Sequence, residues 1–178
     1  MATLLISRRC LIGARERGPD RRHSRAPRPA PRGDKYARQF LIGGGVTLIN
    51  ITIHALMMTT VVRVAQVAGT RKVRYPSFFL IAVMIPTVSV LMITHAIEVL
   101  VWALVYWIVD AAPSEANLVY FAFVNYATLG YGDIVPVKRW LMLGPITAMN
   151  GALLFGWSTA IIFEVLRRAL VRIGISGD

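Results

Sequence analysis

The sequence predicts an all-α integral membrane protein: three transmembrane helices, with a short re-entrant helix and loop between the second and third. Of the 178 residues, 56% are hydrophobic and 16% charged. Mean hydropathy is +0.57, and the apolar residues gather into three long runs nearly free of charge. Soluble domains average roughly 45–50% apolar and about 25% charged residues, so a water-soluble enzyme fits poorly. A single cysteine, Cys10, excludes an internal disulfide and a Cys-based zinc site. No serine, cysteine or paired-carboxylate constellation suggests catalysis, and the chain is expected not to be an enzyme.

Residues 1–39 carry Arg8, Arg9, Arg15, Arg17, Arg21, Arg22, Arg25, Arg28, Arg32, Lys35 and Arg38 against Glu16, Asp20 and Asp34, with Pro19, Pro27, Pro29 and Pro31 among them. Such a composition buries too little apolar surface to offset its ordering entropy. It reads as a disordered basic extension, unlike everything after Phe40. Residues 40–62 are 23 positions without a charge, enough to cross a hydrocarbon core of ~30 Å at about 1.5 Å per residue. Residues 63–77 form a basic loop containing Arg63, Arg71, Lys72 and Arg74. The second span, 78–109, holds one charge, Glu98, and one proline, Pro86, where a helix can kink. The third apolar run, 141–166, lies within a helix expected over 140–168, followed by a short tail at 171–178.

Between the second and third spans, Pro113 and Ser114 read as a helix start with Ser114 as the N-cap. Residues 115–127 then form an apolar, aromatic half-helix that runs directly into Thr128-Leu129-Gly130-Tyr131-Gly132-Asp133. Half-helix, hexapeptide and flanking spans together resemble the pore domain of the potassium channel family, in its small bacterial form with one pore loop per chain. On this resemblance residues 78–170 are a pore domain: outer helix 78–109, pore helix 115–127, filter 128–133 and inner helix 140–168. A dehydrated cation needs rings of oxygen to replace its water shell, and glycine turns successive carbonyls one way because it takes positive φ at little cost.

The resemblance implies that Thr128, Leu129, Gly130, Tyr131 and Gly132 supply the ion-binding filter, that Tyr131 packs against the pore helix, and that Asp133 concentrates cations at the outer mouth. It implies K+ as the permeating ion, with no cofactor, small-molecule substrate or nucleic acid. One loop cannot enclose an axis, so the chain must assemble with other copies, and the resemblance implies a homotetramer among the lipids of the cell membrane. Ala127 and Leu129 stand where the commonest family form has Thr and Val, and Tyr120 and Phe121 where an aromatic pair cuffs the filter.

Charge gives an independent orientation. Loop 63–77 and the Arg167, Arg168, Arg172 end are basic, whereas residues 110–139 set Lys138 and Arg139 against Asp110, Glu115 and Asp133. The positive-inside rule places the first two in the cytoplasm and the third outside. Three spans then put the arginine-rich N-terminus outside, against the same rule. The extension is therefore read as weakly functional or as no true part of the mature protein, or else as a basic tail at an anionic membrane surface.

His54, His95 and Glu98 lie within apolar runs, where a charge costs about 2.5–3.5 kcal/mol on insertion scales. At about 1.5 Å per residue all three reach one depth if the first span runs antiparallel to the second. His95 and Glu98 share a helix face. A buried polar cluster is expected, with Glu98 paired to a histidine; Trp102 and Trp107 lead from it toward the outer interface. In the third span Gly151 or Gly156 reads as a gating hinge or as a close-packing site. No span carries arginines at every third position, which removes a voltage sensor of the usual kind and favours leak-like conduction or gating by pH, lipid or tension. The readings that remain open are a potassium-selective channel, a less selective cation channel, a membrane metalloprotein using His54, His95 and Glu98, and a non-conducting subunit.

Overall fold

The computed structural model describes residues 32–68 and 75–174. They form four α-helices: α1 (Arg32–Ala68), α2 (Pro76–Val109), α3 (Leu118–Tyr126) and α4 (Leu143–Arg172), with a short 3-10 turn at Lys138–Trp140 before α4. No strand occurs among the described residues. Three helices are long and apolar enough to cross a membrane: Lys35–Arg63 within α1, Pro76–Val109 and Leu143–Arg172. Expectations for residues 1–31, for 69–74 of the 63–77 loop and for 175–178 of the tail lie outside the described residues.

α1 corrects the sequence reading at both ends. It begins at Arg32, inside the segment expected to be a disordered extension, because no proline lies between Pro31 and Pro76 and Lys35, Ala37, Arg38 and Gln39 are good helix formers. Gln39 is only 2% exposed, and its Oε1 accepts from the Met142 amide at 2.8 Å, so this turn docks at the start of α4. At its other end α1 runs through 63–68, read as loop, since no glycine or proline intervenes before Gly69.

The buried positions of α1 include Gln39, Gly43, Val46, Asn50, His54, Met58 and Val61, a stripe at three- and four-residue spacing that turns one face inward. α1 and α3 each pack against both α2 and α4. At Gly43 α1 lies tightly against α4: a Cβ there would come within 2.8 Å of the Ile146 side chain. The pairs Gln39–Met142, Asn50–Asn150 and His54–Ser158 advance together, so α1 runs parallel to α4. The pairs Tyr106–Thr147, Trp102–Asn150 and His95–Ser158 run in opposite order, so α2 is antiparallel to both.

Pro86 is accommodated inside α2 without ending it. The helix ends instead at Asp110, which takes left-handed φ of 54° while the Ala111 amide bonds back to the Tyr106 carbonyl at 2.9 Å, an αL termination. Trp102, expected to lead toward an interface, is fully buried; its indole N–H donates to Asn150 Oδ1 at 2.9 Å. A polar group facing it on α4 draws it inward, while Trp107 stays exposed. α3 is shorter than the expected 115–127. Asn117 rather than Ser114 caps it, accepting from the Tyr120 amide at 3.1 Å. α4 starts at Leu143, after the 3-10 turn that takes up 138–140, and continues to Arg172.

Candidate functional site

The loop after α3 starts from amides bonded back into the helix. Ala127 donates to the Phe123 carbonyl at 2.8 Å, Thr128 to Asn125 at 3.0 Å, and Leu129 to Val124 at 2.9 Å. Beyond them, φ is positive at Thr128 (59°), Gly130 (57°) and Gly132 (79°). Every second residue is thus left-handed, the alternation that brings successive carbonyls to one side of the chain. Gly130 and Gly132 take this conformation without a Cβ penalty, while Thr128 takes it against one. That strain at Thr128 has no signal in the sequence, since threonine disfavours positive φ.

All of Thr128, Leu129, Gly130, Tyr131, Gly132 and Asp133 are exposed. Tyr131, expected to pack against the pore helix, is 67% exposed and Leu129 49%. Within one chain nothing covers them, because the loop leaves its own helix after Leu129. Beside it opens a groove of about 370 Å³ lined by Val124, Asn125, Thr128, Gly130, Pro136 and Gly144, among others. On the return, the Val137 amide bonds the Ala111 carbonyl at 2.8 Å, and Arg139 pairs with Asp110 at 2.8 Å. The Asp133 carboxylate near Tyr120 holds that phenol above its usual range.

Behind the last turn of α3 lies a buried polar cluster. His54 from α1 and His95 and Glu98 from α2 meet there: His54 Nδ1 lies 2.8 Å from Glu98 Oε1, and His95 Nδ1 lies 3.0 Å from Oε2. The Tyr126 hydroxyl donates to Glu98 Oε2 as well. A carboxylate only accepts, so each Nδ1 that bonds Glu98 does so as a donor. The two Nε2 atoms converge on Ser158 of α4, whose Oγ lies 2.9 Å from His95 Nε2 and 3.3 Å from His54 Nε2 and has one hydrogen to donate to one of them. One ligand atom from each of His54, His95 and Glu98 lies within 4.8 Å of the others, the spacing a metal ion needs. Tyr126 of α3 and Ser158 of α4 join the same cluster, and nothing in the spacing of His54, His95 and Glu98 points to either.

A second polar layer sits beside it. Asn50 Nδ2 donates to the Glu98 carbonyl at 3.3 Å and to Asn150 Oδ1 at 3.1 Å. Gly151 is buried against the backbone of Tyr126, the packing alternative for this glycine. Gly156 faces open space, with nothing within 4 Å of a built Cβ. Near the end of α4, Glu164 pairs with Arg167 at 2.9 Å and Arg168 at 2.6 Å.

A family model described as an ion channel matches residues 94–168, from the His95 turn of α2 through α3 and the 128–133 loop to Arg168 of α4. No curated protein and no solved structure matches the chain.

Proposed function

We propose that this chain is the pore-forming subunit of a homotetrameric potassium channel of the cell membrane, leak-like and without a voltage sensor. The observation that carries the reading is the alternation of left-handed residues at 128, 130 and 132, directly after a nine-residue helix and inside the stretch matched as an ion channel. Four such loops around one axis stack rings of carbonyl oxygen from Thr128 to Gly132, which replace the hydration shell of K+. The C-terminal end of α3, at Tyr126, directs its partial negative charge toward the dehydrated ion. Asp133, next along the chain, draws cations to the mouth.

The exposure of Leu129 and Tyr131 supports assembly, since neighbouring copies cover what one chain leaves bare. The groove beside the loop offers a place for them. Potassium flux from liposomes holding the purified protein, with sodium in a parallel set and Gly130→Ala beside it, tests the reading. Potassium-selective flux lost in the variant is the expected result; equal flux of both ions would reduce the reading to a general cation channel.

A further inference from the structure

The matched stretch 94–168 leaves out α1, yet α1 delivers Asn50 and His54 into the interior, both fully buried. Polar side chains in an apolar interior are held there only by their bonds, and each of these two has one bond that leads to Glu98. Asn50 donates to the backbone carbonyl of Glu98, and His54 meets its Oε1. The other carboxylate oxygen takes the Tyr126 hydroxyl, with His95 Nδ1 2.9 Å from the same hydroxyl. One carboxylate therefore grips α1 with one oxygen and the last residue of α3 with the other.

Tyr126 is held at its opposite end too. Its carbonyl oxygen lies where a Cβ on Gly151 would be, so α4 fixes the backbone while α2 fixes the hydroxyl. From there the chain passes at once to Ala127 and Thr128, and the amides of 127, 128 and 129 all bond to the last turn of α3. Where Tyr126 sits decides where the first carbonyls of the loop point.

We infer that Glu98 and His54 are positioning residues for the 128–132 loop: Glu98, oriented by His54, anchors Tyr126 and thereby sets the ion selectivity of the pore, which makes α1 a working part of it. The inference rests on the channel reading above. Glu98 meets both Nδ1 atoms of the cluster and Ser158 lies beside both Nε2 atoms, so the cluster ties α1, α2 and α4 together behind the end of α3.

The test measures the K+/Na+ permeability ratio of the full chain in liposomes, for wild type, Tyr126→Phe, Glu98→Gln, His54→Gln and the double variant His54→Gln/Tyr126→Phe. Glu164→Gln serves as the control, and each protein's oligomeric state and melting temperature are measured alongside. Tyr126→Phe keeps the ring and removes only the hydroxyl, so it remains informative if a change at Glu98 prevents folding. Its ratio is expected to fall about tenfold, the scale of one lost charge-assisted bond. His54→Gln lowers the ratio in the wild-type background and adds nothing once Tyr126 is Phe, because it acts through the same bond. A merely structural contact would lower melting temperature and leave the ratio unchanged. Selective wild-type flux with an unaltered ratio in assembled Tyr126→Phe overturns the inference alone; wild type that conducts neither ion overturns the channel reading and this inference with it.

Discussion

The carbonyl oxygen of Tyr126 lies so close to Gly151 that a side chain at 151 would overlap it. α4 can therefore pass against the end of α3 only where it lacks a Cβ, and the start of the 128–133 loop inherits its place from that contact.

Gly151→Ala is expected to destabilise the assembled protein by about 1–3 kcal/mol, the usual penalty of overpacking. Relief requires moving Tyr126 backbone rather than a flexible side-chain tip. Gly156→Ala, with nothing within 4 Å, is expected to be neutral or to gain up to about 1 kcal/mol from helix propensity. Thermal unfolding of the two purified variants in detergent separates the sites; equal melting temperatures would remove the packing role of Gly151.

At Gly130 and Gly132, alanine keeps the volume small but must take φ of 57° and 79°, at about 1–2 kcal/mol each. Both variants are expected to stay folded, because neither built Cβ meets a neighbour, and to lose potassium flux. Circular dichroism together with liposome flux checks both halves of the prediction. Thr128→Gly relieves the remaining left-handed strain and is expected to raise the melting temperature while lowering flux.

Asn150 Oδ1 accepts from both Trp102 and Asn50. Asn150→Ala leaves two buried donors without that acceptor and is expected to cost about 1–3 kcal/mol. Asn50→Ala removes one donor and should cost less, and the double variant little more than Asn150→Ala alone. A double-mutant cycle on unfolding free energy measures the coupling.

Gln39 reaches the Met142 amide at the start of α4. Gln39→Ala is expected to destabilise the fold by about 0.5–1.5 kcal/mol, although the residue sits in a segment whose composition reads as extension. An unchanged melting temperature would detach this turn from the folded core.

Much of the architecture is written in composition alone. Runs without charge must leave water, and their lengths match a bilayer, so the helical membrane candidates at 40–62, 78–109 and 141–166 can be read without any contact being known. The depth arithmetic for His54, His95 and Glu98 likewise places them level, because rise per residue is fixed within a helix. Glycines at 130 and 132 mark where backbone must turn left-handed. Other features have no linear signature. Gln39 is buried because it finds the Met142 amide more than a hundred residues away, and Trp102 turns inward because Asn150 faces it.

By itself, then, the sequence determined how many apolar helices form, which loop holds the left-handed glycines and which polar residues share a depth, since these depend on local chemistry and helix geometry. The tertiary structure decided which side chains meet: that Tyr126 and Ser158 complete the histidine–glutamate cluster, that Gly151 admits the Tyr126 carbonyl, and that Thr128 bears positive φ. Each depends on the azimuth at which one helix faces another. That angle is set by side-chain packing across the interface, and no single helix encodes it.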